Sequence, residues 1–144
     1  MELPAGAKAN RYNHSDYQVG LKNFAKALGR MEQYLQEKIV VSNVFYDALD
    51  GVTEHTKKNI ELKSRSQRYR RVDMETWLVP ASKIAKAKVS GKPTFIFYYW
   101  SQDDSLWVYE VNDEINDLEP EIPDWHEYGS LHYYIPFLFF KRVR

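Results

Sequence analysis

Apolar positions recur at helical spacing in one early stretch of the chain and then switch to the two-residue alternation of strands. Leu21, Phe24, Ala25, Leu28, Met31 and Leu35 fall on one helical stripe, and Ser15-Asp-Tyr-Gln18 ahead of them reads as a capping box. The spacing predicts a helix over residues 15–37, preceded by a loose, aperiodic arm over residues 1–14. The β-branched and aromatic run 39–47 (IVVSNVFYD) predicts a strand, Asp50-Gly51 and the polar residues up to Lys58 a turn or hairpin loop, and 59–64 (NIELKS) the returning strand. A basic loop follows over 65–73. Residues 74–79 predict a short strand before Pro80, and 82–89 a helix ending at Gly91. Residues 94–100 and 106–111 predict a hairpin across Ser-Gln-Asp-Asp; 112–130 reads as a long acidic loop, and 131–143, broken at Pro136, as one or two closing strands. The order αββ(β)αβββ describes a mixed α/β domain over residues 15–144, a central mixed sheet flanked by helices.

Composition changes this picture little. At 144 residues, 44% hydrophobic and 15% aromatic, the chain is long and apolar enough for one domain with a real core, and too rich in apolar residues for wholesale disorder. The absence of cysteine removes disulfides and thiolate chemistry and fits a reducing, intracellular or cytoplasmic setting. The longest apolar run, 133–140, is far short of the roughly 20 residues that span a bilayer, and the first ten residues lack a signal core, so a soluble, non-secreted protein is expected.

Charge changes it more. The 20 basic and 20 acidic residues cancel, but residues 57–92 hold 11 Lys or Arg against three acids, while 101–128 hold ten acids and no Lys or Arg. A block at +8 attracts phosphates even when a block at −10 keeps the total at zero. Equally, two such blocks can be solvated faces of an ordinary protein, and charge alone does not choose between these.

Three carboxylates sharpen the choice. On a wheel of about 100° per residue, Glu32 falls inside the apolar stripe of the first helix, and a buried carboxylate needs a cation, a metal, hydrogen-bond donors or a place at the water boundary. In the strand 59–64, Glu61 and Lys63 share one face by alternation; on its own this Glu-x-Lys is also what an exposed salt bridge looks like. If 39–47 and 59–64 pair directly as an antiparallel hairpin with a pair sum of 108, Asp47 stands opposite Glu61 and beside Lys63. Two carboxylates that close need a cation between them. Asp50, with a pair sum of 111, is the rival; Asp47 is favoured because it continues the strand, whereas Asp50-Gly51 has turn chemistry.

Phe45-Tyr-Asp47, Ile60-Glu-Leu-Lys-Ser-Arg65, Ser82-Lys83 opening a later helix, the aromatic strands 95–100 and 106–111, and the closing Tyr134-Ile-Pro-Phe together resemble the PD-(D/E)xK nuclease superfamily, in particular its small viral and phage members. The Gly29-Arg30-Met-Glu32 context is similar to that of resolvase members; the Pro that often precedes the Asp is replaced by Tyr46. The resemblance implies a restriction-endonuclease-like core and a metal-dependent DNA endonuclease in repair, recombination or viral genome processing. It implies Mg²⁺, with Mn²⁺ as a substitute, held by Asp47, Glu61 and Glu32, with Lys63 beside the attacking water. A hard cation bound by carboxylates supplies an activated water and a counter-charge for the phosphorane oxygens.

Arg65, Arg68, Arg70 and Arg71 follow the motif strand with Tyr69 between them, and Lys83, Lys86 and Lys88 lie on or near the next helix. These are the expected contacts to duplex or branched DNA, sequence-independent and salt-sensitive, although any one of them is equally read as a solvated surface charge. A homodimer is attractive, since one such site cuts one strand. His14, His55, His126 and His132 have no zinc spacing, and there is no nucleotide-binding glycine loop and no Gly-x-Ser-x-Gly elbow. The four Trp read as core or interface residues. The competing readings are a catalytically inactive nucleic-acid-binding module of the same fold, and an interaction protein whose acidic loop docks a basic partner.

Overall fold

The computed structural model describes residues 14–41, 51–124 and 129–144, with side chains from residue 20 onward. In chain order it contains helix α1 (His14–Leu35), strands β1 (Ile39–Val41), β2 (Gly51–Thr53), β3 (Asn59–Arg65) and β4 (Thr76–Pro80), helix α2 (Ala81–Ser90), and strands β5 (Thr94–Trp100), β6 (Ser105–Glu110), β7 (His132–Pro136) and β8 (Lys141–Arg142). Six strands form one sheet in the order β1-β2-β3-β5-β6-β8, and β4 and β7 form a second, two-stranded antiparallel sheet.

Alternation sorts the side chains of the main sheet into two cores. Ile60 on β3 and Phe95, Phe97 and Tyr99 on β5 pack with Leu106, Val108, Ala27 and Met31, burying the α1 side. Ile96, Tyr98 and Trp100 point the other way and pack with Trp77 and Val79 of β4, Ile135 of β7, Ile84 of α2 and Phe140. Strand β5 is buried along its whole length because both its faces are covered. Helix α1 thus forms one outer layer, and α2 with the small sheet forms the other. Trp77 anchors the second layer, with ring centroids 5.1 Å from both Tyr98 and Trp100 and 4.7 Å from Phe140.

The predicted elements recur with shifts at their ends. Helix α1 stops at Leu35 because Gln36 turns into the left-handed region (φ 56°), and α2 ends on Gly91 (φ 67°), where the missing Cβ permits that turn. The buried line of α1 is Asn23, Ala27 and Met31, with Phe24, Leu28, Tyr34 and Leu35 partly buried, whereas Leu21 is 38% exposed. The inward face is therefore rotated from the expected stripe, which sets Glu32 at the edge and not inside it. The buried line runs through Asn23 and Ala27, small residues that the apolar spacing did not single out together.

The larger correction concerns the hairpin. The described part of the predicted strand 39–47, β1, does not pair with β3: β1 pairs with β2, and β2 pairs with β3. The polar stretch expected to be loop contains β2, and its turn closes tightly, with the Thr53 amide donating to the Lys58 carbonyl at 2.9 Å. In the β2–β3 ladder Gly51 faces Ile60 and Val52 faces Asn59, a pair sum of 111. On its other side β3 runs parallel to β5 over seven residue pairs, from Asn59↔Thr94 to Arg65↔Trp100. Their connection carries β4 and α2, the long crossover a parallel pair requires.

Candidate active site

Strand β3 is paired on both sides in its first half, so its alternation is fixed: Ile60 and Leu62 lie on the α1 side, while Glu61, Lys63 and Arg65 lie on the α2 side. Glu61 is only 6% exposed, and Lys83 from the first turn of α2 brings its Nζ to 3.5 Å from Glu61 Oε1. Lys83, expected as a phosphate contact, is thus an ion-pair partner of the motif carboxylate. Lys63 is half-buried two residues along the same face.

Arg65 closes the strand. Its Nε donates to Tyr98 Oη at 3.1 Å, and its guanidinium lies 5.7 Å from the Tyr69 ring centre. Tyr98 passes its own hydroxyl proton toward the Leu78 carbonyl at 3.3 Å, and burial pushes this phenol up from its ordinary pKa. The loop after β3 is therefore pinned at its root and open further out. Arg68 is exposed over the Tyr69 ring, at 5.3 Å, and Arg70 lies 4.0 Å from Asp73. Arg71 lies over Trp107 and pairs with Asp103 at 3.0 Å. Burial would push Asp103 up, but the Ser105 hydrogen bond and the Arg71 guanidinium outweigh it and hold the carboxyl below its usual range. Lys86 is exposed on α2, and Lys88 donates to Asn116 Oδ1.

Glu32 sits on the other layer. Its Oε2 accepts the Ile39 amide at 2.8 Å, so the carboxylate finds the hydrogen-bond donor it needs where α1 hands over to β1. Asp47 and Asp50 lie outside the described residues. Glu61, Lys63, Arg65 and Lys83 are brought to one face of the sheet; Glu32 belongs to the opposite layer. Among the described residues, no group of three or more His, Asp or Glu is gathered where it could hold a metal ion. As a donor Glu61 suits a hard divalent cation, being a nearly buried oxygen ligand, and the Lys83 ammonium beside it competes for the same carboxylate.

Two features escaped the reading of the sequence. Glu37 accepts the His55 and Thr56 amides and the Thr56 hydroxyl at 2.5, 2.6 and 2.6 Å, clamping the β2–β3 turn onto the end of α1. The Thr56 hydroxyl, with those amides adding to it, outweighs the opposing effect of burial and lowers its pKa to about 2. The other is a row of bases on α1, Lys22, Lys26 and Arg30, whose four-residue spacing was a readable signal.

With that geometry in hand, comparison with solved structures finds a likeness to a nuclease from a fusselovirus, at a TM-score of 0.50 and 17% sequence identity, covering 99% of this chain and 90% of that one. The two share a fold. The mixed α/β architecture with a central sheet between helical layers is thus common to this chain and a nuclease structure, and the likeness runs nearly end to end. No protein-family model and no curated protein matches the chain. Among the described residues no helix is long and apolar enough to cross a membrane.

Proposed function

We propose that this protein is a metal-dependent endonuclease that hydrolyses phosphodiester bonds in duplex or branched DNA. The observation that carries the reading is the placement of Glu61 and Lys63 side by side on one face of a central strand, at the root of an arginine-rich loop, in a fold shared with a viral nuclease. Glu61, together with Asp50 or Asp47, would hold Mg²⁺ or Mn²⁺; Glu32, whose carboxylate is engaged at Ile39, is the weaker candidate. Bound there, the cation would supply an activated water and a counter-charge for the scissile phosphate.

The chain's own groups do the rest. Lys63 stands beside Glu61 as an ammonium suited to stabilising charge that develops on phosphate oxygens, and Lys83 holds the Glu61 carboxylate in place at 3.5 Å. Arg65, Arg68 and Arg70 supply cations for the DNA backbone, and Tyr69 lies among them as a stacking surface.

The test is cleavage of plasmid and branched duplex DNA by the full chain in Mg²⁺, in Mn²⁺ and in EDTA. The proposal expects metal-dependent cleavage that disappears in Lys63→Ala and Glu61→Gln while circular dichroism shows an unchanged fold. Undiminished cleavage in Lys63→Ala would refute the assigned mechanism. The same assay separates a second reading, a catalytically inactive DNA-binding module of the same fold. Tight DNA binding with no cleavage in either metal would select it.

A further inference from the structure

The turn between β5 and β6 joins the two layers of the protein at one end of the sheet. Its adjacent acids reach in opposite directions: Asp103 pairs with Arg71 from the loop after β3, at 3.0 Å, and Asp104 pairs with Arg30 from α1, at 3.5 Å. Asp104 also accepts the Tyr99 hydroxyl at 2.5 Å, and Ser101 donates both its amide and its hydroxyl to the Arg65 carbonyl, at 3.3 and 3.0 Å. The root of the arginine loop and the basic side of α1 are thus fastened to the same short turn.

On the α1 side, Lys22, Lys26 and Arg30 recur every four residues and line one edge of the helix. Lys22 and Lys26 are exposed and make no ion pair among the described residues, while Arg30 is tied to the turn. An open groove of about 320 Å³ lies between this helix and the turn, lined by Lys26, Arg30, Tyr99, Ser101 and Asp104. Asp103 and Asp104 are each answered by an arginine, so the turn itself adds little net charge, and the band from Lys22 around to Arg68 and Arg70 is positive at both ends.

We infer that α1 is a second phosphate-binding rail, with Lys22 and Lys26 contacting the backbone of duplex DNA that passes over the β5–β6 end of the sheet from the arginine loop. The inference rests on the proposed DNA substrate and extends it to a surface on the far side of the sheet from Glu61. Its chemistry is plain charge complementarity. Residues four apart rise about 6 Å along a helix, so two such lysines can reach neighbouring phosphates of one strand, and each neutralised phosphate releases counterions.

The experiment measures fluorescence anisotropy of a labelled DNA duplex in EDTA, so that cleavage does not intrude, over a salt series. Lys22→Gln/Lys26→Gln is compared with Arg68→Gln/Arg70→Gln in the loop. The rail predicts that the α1 double variant weakens binding roughly tenfold near 0.1 M salt and reduces the slope of log K against log salt by about 1.8, with Lys22→Gln alone reducing it by about 0.9. Both side chains are exposed, so thermal melting should match the wild type. An unchanged slope in the α1 variants, with binding weakened by the loop variant, overturns the rail and leaves the DNA reading standing. Failure of the wild-type protein to bind duplex at all removes that reading and the rail with it.

Discussion

Lys83 on α2 reaches Glu61 on β3, its Nζ 3.5 Å from the carboxylate Oε1, with side chains 20% and 8% exposed. A pair this sheltered gains little net free energy from its own attraction, because both ions lose hydration; removing one partner exposes the cost of the other. Lys83→Met is therefore expected to destabilise the protein by about 1–3 kcal/mol in EDTA, and the double variant Glu61→Gln/Lys83→Met to recover much of that loss. Urea unfolding of the four proteins of the cycle gives the coupling directly. Full additivity would show that the two groups do not stabilise one another.

Glu37 makes the β2–β3 turn sensitive to acid. Its pKa is depressed to about 2 in the folded chain, below an ordinary value of 4.5, so the stability it contributes is fully present above about pH 5 and is lost as the pH falls toward 2. Glu37→Gln removes the same stabilisation at every pH. The difference in urea midpoint between wild type and Glu37→Gln should accordingly be largest near neutrality and close as the pH approaches 2. A constant gap across that range would contradict the assignment.

The contrast between Glu37 and Glu61 shows what the sequence could and could not convey. The face that Glu61 and Lys63 share follows from alternation, a local rule, and was legible as soon as 59–64 read as a strand. So were β5, whose six uninterrupted apolar and aromatic residues after Thr94 suit a strand covered on both faces, and α2 with its terminal glycine. The neighbours of β3 were not legible, because β2 is three residues long, begins with glycine and sits inside a polar stretch. Nor were the partners of Glu37 and Glu61, which arrive from residues 55–56 and 83 and depend on tertiary placement. The rotation of α1 was misread because Asn23, a polar residue, faces inward.

Tyr99 gives the alkaline counterpart. Burial, and then the Asp104 carboxylate that accepts its hydroxyl at 2.5 Å, push its pKa up to about 12. Burial likewise raises Tyr98 and Tyr109. A folded-state pKa above the ordinary value near 10 contributes stability that is present below pH 10 and is lost as the pH rises toward 12. Phenolate absorbance should therefore rise in two phases, with a late phase coincident with unfolding. Tyr99→Phe should reduce the late phase and leave the early one unchanged; a reduced early phase would mean that Tyr99 titrates as an exposed phenol.

Gly51 has no room for a side chain. A Cβ there would stand 2.6 Å from the Val40 carbonyl oxygen and 3.1 Å from Ile39 Cγ2, both on the neighbouring strand β1. Gly51→Ala must push β1 outward, at a cost of about 1–3 kcal/mol. Thermal melting and hydrogen exchange of the Ile39–Val41 amides should both report the shift, and unperturbed protection there would show that β1 yields without loss.

The same ladder gives a ranking to test for the two candidate metal ligands, both of which lie outside the described residues. Strands β2 and β3 pair with a sum of 111, the register the Asp50 alternative requires opposite Glu61; Asp47 requires 108 and a direct pairing of 39–47 with β3, whereas β1 pairs with β2. Under the proposed function, Asp50→Asn should therefore lower cleavage by roughly 100-fold or more, since even outer-shell partners of a metal cost about 10–100-fold, while Asp47→Asn should cost less than about tenfold. Mn²⁺ affinity, measured by titration calorimetry on the two variants, separates loss of the metal from loss of a later step. The reverse ranking would make Asp47 the ligand.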